Sequence, residues 1–143
     1  MRKREQLVKD WMTRQVVTVS PEASLPAAHR LMKDNNIRRL PVLQDGKLVG
    51  IVTRGDVRGA EPSEASSLSI WEINYLLAKL KIKEIMTHNP LTVAEDMTLG
   101  EVANIMLENK VSGLPVVDSG GKVIGIVTES DIFRMIVQSW QED

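Results

Sequence analysis

Apolar positions along the chain fall into the same succession twice. A short β-branched piece comes first, Val16-Val17-Thr18-Val19 in one copy and Leu91-Thr92-Val93 in the other, and both read as extended. Apolar residues at helical spacing follow: Leu25, Ala28, Leu31 and Met32, then Leu99, Val102, Ile105 and Met106. Ser24 stands where an N-cap is needed, and Thr98 with Glu101 makes a capping box. The runs close on Asn35, Asn36 and Asn109, residues that tolerate left-handed backbone at a helix C-terminus.

Two nearly unbroken apolar stretches then flank a glycine turn. In the first copy they are Leu40–Leu43 and Leu48–Val52 around Asp45-Gly46, in the second Leu114–Val117 and Val123–Val127 around Ser119-Gly120-Gly121. Each pair predicts a β-hairpin, and the lack of polar alternation predicts strands covered on both faces or nearly so. Each hairpin leads into a helix with Asp56 or Ser130 near its N-cap, the second running through Ile132, Phe133, Ile136 and Val137 towards Trp140.

Aligned without gaps except beside Gly120, residues 12–56 and 86–131 are identical at more than a third of positions, which marks an internal duplication. The expected fold class is therefore α/β (α+β), built from two tandem β-α-β-β-α motifs. The first spans 1–59 with an N-terminal helix, the second 84–143, and 60–83 joins them. Within the join, Glu61-Pro62-Ser63-Glu64-Ala65-Ser66-Ser67 has the composition of a flexible bend. Ile70, Ile73, Leu76, Leu77 and Leu80 then predict an amphipathic helix that packs on its own chain or against a second subunit.

Composition narrows the function classes. Eighteen basic and nineteen acidic residues leave a net charge of −1, against a nucleic-acid protein that relies on a broad basic field. No cysteine is present, so thiolate catalysis and Cys-ligated zinc are excluded. With 3% aromatics, the core must be aliphatic; Met32, Met86, Met97, Met106 and Met135 read as its gap-fillers. The basic tip Met1-Arg2-Lys3-Arg4 reads as a frayed helix end without an apolar signal region behind it. No apolar run is long enough to cross a membrane, and the expectation is a cytoplasmic chain.

The chemistry-bearing residues sit at the end of each hairpin, in Gly50-Ile51-Val52-Thr53-Arg54-Gly55-Asp56 and Gly125-Ile126-Val127-Thr128-Glu129-Ser130-Asp131. A fixed carboxylate can accept hydrogen bonds from both hydroxyls of a ribose, which suits Asp56 and Asp131. Thr53, Thr128 and Ser130 add hydroxyls beside a helix N-terminus, where phosphate is favoured. The plainer reading is that all of these are helix caps. The copies diverge at Arg38-Arg39, which becomes Ser112-Gly113, and at Gly55, which becomes Ser130. An arginine fork can pair two phosphate oxygens, although two solvated surface arginines would look the same in sequence.

Other motifs carry less. His29 and His88 stand alone, without the neighbours a metal site needs. Arg54-Gly55-Asp56 spells an adhesion tripeptide by coincidence, and Gly120-Gly121-Lys122 lacks the spacing of a phosphate-binding loop. No nucleophile and base are spaced for catalysis, and an enzyme is not expected.

Leu-Pro-Val before the hairpin and Gly-Ile-Val-Thr-x-x-Asp after it, twice in the same order, resemble the cystathionine-β-synthase (CBS) domain pair, or Bateman module. The insert resembles stand-alone pairs related to the acetoin-utilisation accessory protein. The resemblance implies two motifs packed sheet-to-sheet about a pseudo-twofold axis, with clefts for adenosine-type ligands. It implies ribose and phosphate contacts at Thr53, Asp56, Thr128, Ser130 and Asp131, phosphate contacts at Arg38 and Arg39, and an adenine slot at Val17, Ile37, Leu91 and Val111. The better site is expected to combine Asp131, Thr128 and Ser130 with Arg38 or Arg39 across the pseudo-dyad. The implied function is a regulatory module binding AMP, ADP or ATP as ligand, without a catalytic cofactor, homodimeric, and signalling to an unknown regulated protein. An S-adenosylmethionine sensor and an interaction scaffold with unoccupied clefts are the alternatives; neither nucleic acid nor membrane is an expected partner.

Overall fold

The computed structural model describes residues 5–61 and 67–142; the basic tip and most of the bend expected after Glu61 lie outside them. In chain order the elements are α1 (Val8–Trp11), α2 (Leu25–Asp34), β1 (Arg39–Gln44), β2 (Lys47–Thr53), α3 (Arg54–Ala60), α4 (Ile70–Lys79), α5 (Ile82–Ile85), β3 (Thr87–His88), β4 (Val93–Ala94), α6 (Leu99–Asn109), β5 (Gly113–Val117), β6 (Val123–Thr128) and α7 (Glu129–Gln141). They form a mixed α+β fold with two three-stranded sheets, β1-β2-β3 and β4-β5-β6. Packing divides the chain into two units: Val17–Pro90 is continuous, whereas the other joins the segment ending at Val16 to the segment that starts at Leu91.

In the continuous unit the hairpin β1–β2 pairs Arg39 with Thr53 at one end and Gln44 with Lys47 at the other. Asp45 and Gly46 both take positive φ, 52° and 78°, as a two-residue turn matched to strand twist requires. The expected first strand shrinks to one parallel bridge, Val19 to Val42, because only Val19 reaches the β1 backbone. Its place in the sheet is balanced on the far side of β2 by β3, which sets His88 opposite Gly50 and Thr87 opposite Ile51. Val19, Leu25, Ala28, Met32, Leu40, Val42, Val52, Val57 and Ile82 form the buried core. Each large member contributes about 1.5–3 kcal/mol by leaving water.

The connecting helix α4 divides its apolar residues. Leu77, and Leu80 at its C-cap, pack against this core, while Ile70, Trp71, Tyr75 and Leu76 face outward, the last three lining a shallow groove with Glu72. Beyond α4 the chain is fastened to the loop before α2, Leu25 N–H donating to the Leu80 carbonyl and Ile82 N–H to the Ala23 carbonyl. Lys81 and Lys83 both pair with Glu22 there, at 2.8 and 3.0 Å.

The discontinuous unit repeats this plan with an exchanged N-terminal segment. Its hairpin β5–β6 sets Gly113 opposite Thr128, and β4 runs parallel to β5 with Val93 beside Val116. The first segment completes the layer: Val8 N–H donates to the Met97 carbonyl, and Thr13 and Ile126 exchange two bonds of 2.9 Å. Val8 and Met12 thereby enter a core with Val93, Leu99, Val102, Met106, Leu114, Val116 and Val127.

Several helix ends differ from expectation. Both post-hairpin helices start earlier than predicted, with Thr53 and Thr128 as N-caps. Asp56 and Asp131 are thus third helical residues and Ser130 the second, because a Thr with Asp three residues on forms a reciprocal box that a lone Asp cap would not. At the end of α6 the left-handed residue is Lys110, at φ 54°, while Asn109 uses its side-chain amide on the Ile105 carbonyl. Asn35 does the same to Leu31, leaving Asn36 at φ 52°.

Candidate functional site

The predicted site residues fall into two sets, one per unit. Val17, Ile37, Arg38, Arg39, Thr53 and Asp56 lie in the continuous unit, and Leu91, Val111, Thr128, Ser130 and Asp131 in the other. Arg38 and Arg39 are therefore grouped with Thr53 and Asp56.

The same backbone device builds both sets. Where the hairpin ends, the first helical N–H turns back to the residue before the first strand: Arg54 N–H donates to the Arg38 carbonyl at 2.7 Å, and Glu129 N–H to the Ser112 carbonyl at 3.0 Å. The strand register then puts Arg39 directly opposite Thr53, close enough for cross-strand contact. In the other unit the residue opposite Thr128 is Gly113, so no side chain stands there.

Carboxylates are set by the threonine caps. Thr53 N–H donates to Asp56 Oδ2 at 2.9 Å, and Asp56 N–H returns a bond of 3.1 Å to the Thr53 hydroxyl. Asp131 Oδ2 accepts from Thr128 N–H at 2.8 Å and from its hydroxyl at 3.4 Å. Asp131 Oδ1 accepts from the Arg134 guanidinium, a partner that sequence reasoning missed. A lone arginine on a helix face carries no signal by itself; only its spacing of three from Asp131 could have exposed it. Asp131 is 1% exposed, while Asp56 is half-buried.

The predicted adenine slot is uneven too. Val17 and Ile37 are partly buried against their core, whereas Leu91 and Val111 are exposed by 46% and 36%. Charge follows the same division. In sequence, Arg38, Arg39, Arg54 and Arg58 lie in or near the Asp56 set, while the Asp131 set has Glu129 beside it and one arginine, Arg134, already paired with Asp131. Among the described residues no cluster of three metal-ligating side chains occurs, and no helix is long and apolar enough to cross a membrane.

Comparison with known proteins gives these sets a context. The profile of the CBS domain matches residues 8–63 and 82–138. The chain is 41% identical over 133 residues to an inosine-5'-monophosphate dehydrogenase of Korarchaeum cryptofilum, covering 93% of this chain but only 25% of that relative. Another relative, the uncharacterized protein MJ1225 of Methanocaldococcus jannaschii, is 32% identical and is spanned over 46% of its length. Among solved structures, the CBS domain pair of protein MJ0100, in complex with 5'-methylthioadenosine and S-adenosyl-L-methionine, superposes with a TM-score of 0.80 at 34% identity, over 95% of this chain and 99% of that one. CBSX2 in complex with AMP gives 0.77 at 32% identity, over 93% and 97%; this protein is from Arabidopsis thaliana. An acetoin utilization protein (AcuB) from Vibrio cholerae gives 0.77 at 30%, over 96% and 95%.

Proposed function

Since the chain belongs to the CBS-domain family and carries the domain as a tandem pair, we propose that it is a regulatory module that binds adenosine-type nucleotides and signals through a change of conformation or assembly. The observation that carries this reading is the duplicated carboxylate. Asp56 and Asp131 are each locked at the third position of a helix by a threonine N–H, and the lock uses Oδ2 alone. A carboxylate held in one orientation is an acceptor prepared for a vicinal diol, because its ordering cost is already met by the fold. Relatives of the same fold bound to AMP, 5'-methylthioadenosine and S-adenosyl-L-methionine support the ligand class.

Charge suggests which ligand each set favours. Arg38, Arg39 and Arg54 in the Asp56 unit suit a phosphorylated adenosine such as AMP, ADP or ATP, whereas in the Asp131 set Arg134 is taken up by Asp131 itself and Glu129 disfavours phosphate, which leaves that set to a neutral or cationic adenosyl group. Homodimerisation is part of the same proposal. A monomeric mass by light scattering at micromolar concentration, with and without ligand, would remove it.

Thermal unfolding with AMP, ATP, adenosine and S-adenosylmethionine tests the proposal. A ligand present at about a hundred times its dissociation constant adds about 2.7 kcal/mol to stability. The absence of any shift at millimolar concentration favours the scaffold reading, in which Asp56 and Asp131 serve only as caps.

A further inference from the structure

We propose that Arg134 is a built-in competitor for the Asp131 carboxylate, so that a ribose binds in this unit only by displacing a guanidinium. This rests on the reading of Asp131 as a ribose acceptor and goes beyond it. Both oxygens of Asp131 are engaged, Oδ2 by Thr128 and Oδ1 by Arg134. The Thr128 N–H and hydroxyl already take Oδ2, so both hydroxyls of a vicinal diol fall on Oδ1, whose two lone-pair sites cannot serve them and the guanidinium together. The arginine side chain is 62% exposed although its partner is 1% exposed. The guanidinium can therefore swing into water, but the covered carboxylate it leaves is costly unless the incoming hydroxyls satisfy it in the same step.

The other unit supplies the control. The residue three beyond Asp56 is Gly59, which offers no side chain, and Asp56 is correspondingly half-buried where Asp131 is covered. A β-carbon added at Gly59 meets nothing within 4 Å, so space alone does not prevent a side chain there. The two otherwise matched carboxylates thus differ in whether a cation must leave before a ligand arrives. Displacement would also release a positive charge from Asp131 to the surface of α7, giving ligand occupancy a form that a partner could read.

The test is calorimetric titration with adenosine, which is uncharged, and with AMP. Arg134→Ala is expected to tighten adenosine at the Asp131 site about five- to tenfold, with Arg134→Lys intermediate. Gly59→Arg is expected to weaken the Asp56 site. In the parent protein, adenosine affinity at the Asp131 site should rise between 0.05 and about 0.5 M salt as the ion pair is screened, and in Arg134→Ala it should stay flat. A purely structural pair would produce no such difference in salt dependence. Unchanged or weaker adenosine binding in Arg134→Ala overturns the proposal, as does a loss confined to AMP, which would make Arg134 a phosphate ligand. Asp131→Asn separates the two levels. If it leaves adenosine binding intact, or if no probe binds the parent or Arg134→Ala, the reading of Asp131 fails and the competitor with it. If it abolishes binding that Arg134→Ala leaves unmoved, only the competitor fails.

Discussion

The sulfur of Met12 occupies the space in which a side chain at position 125 would begin. A β-carbon on Gly125 would lie 2.6 Å from Met12 Sδ and 3.0 Å from the Thr13 carbonyl oxygen. Gly50 stands in the same relation to Met86 and to the Thr87 carbonyl oxygen, the latter at 2.9 Å. The Met-Thr pair that opens each repeat and the glycine that opens each Gly-Ile-Val-Thr stretch are thus a single contact, made between opposite repeats.

Gly125→Ala is expected to destabilise the protein by about 1–3 kcal/mol through overpacking. Met12→Ala in the same chain removes the sulfur but leaves the Thr13 carbonyl, so the double variant should be less destabilised than the sum of the single changes. Urea unfolding of the four proteins measures that coupling. Strict additivity would show that the two residues do not meet.

Asp131→Ala and Asp131→Asn should separate capping from binding. Alanine leaves the Thr128 N–H without its acceptor and costs about 1–2 kcal/mol. Asparagine can keep an amide oxygen on that N–H and should cost less, yet it lacks the charge that strengthens bonds to a ribose. Both variants are expected to lose adenosine affinity, and thermal unfolding without ligand should rank alanine as the less stable.

Replacing Arg38 and Arg39 together by alanine is expected to weaken AMP and ATP more than adenosine. Equal losses for all three, by titration, would show that the arginines do not read phosphate.

Gly55→Ser is expected to fold normally. The added β-carbon would approach the Thr53 hydroxyl no closer than 3.5 Å, an ordinary contact. It restores in the continuous unit the hydroxyl that Ser130 supplies in the other, and AMP affinity should rise. A fall in affinity would count against a hydroxyl role at this position.

The hairpins, the capped helices and the duplication itself were legible because they are local. Asp45-Gly46 needs only its own φ values to make a turn, and Ser24 needs only Ala27 to act as a cap. What escaped was the partner of each short segment. Nothing in Met12-Thr13 points to Ile126, and nothing in Thr87-His88 points to Gly50 and Ile51, since two-residue pairings leave no periodicity. The candidate carboxylates were found by their repeat, whereas Arg134 and the grouping of Arg39 with Thr53 needed the helix start and the strand register to be known.

Glu22 offers a pH test of how the inserted segment is fastened. Lys81 first, then Lys83, holds its carboxyl below the ordinary value of 4.5, and Glu22 in turn raises Lys81 above its ordinary 10.5. The carboxylate's contribution is therefore present above pH 4.5 and lost as pH falls through its lowered value. The lysine's contribution is present below pH 10.5 and lost as pH rises through its raised value. Glu22→Gln should flatten both flanks of the stability profile, by urea midpoints measured at low salt. Salt should shrink the difference between variant and parent, as both partners are exposed.

The exchange of N-terminal segments also imposes an order on synthesis. Val17–Pro90 holds every partner its sheet and core require, so it can close while the rest of the chain is still being made. The strand pair of Thr13 and Ile126 spans on the order of a hundred residues, and loop-closure entropy delays it further. Val8 and Met12, the first apolar residues of their core to leave the ribosome, must wait with their apolar surfaces uncovered for the stretch from Val93 to Val127. An arrest between Pro90 and Ile126 would consequently yield one finished unit and one stranded, aggregation-prone N-terminal segment.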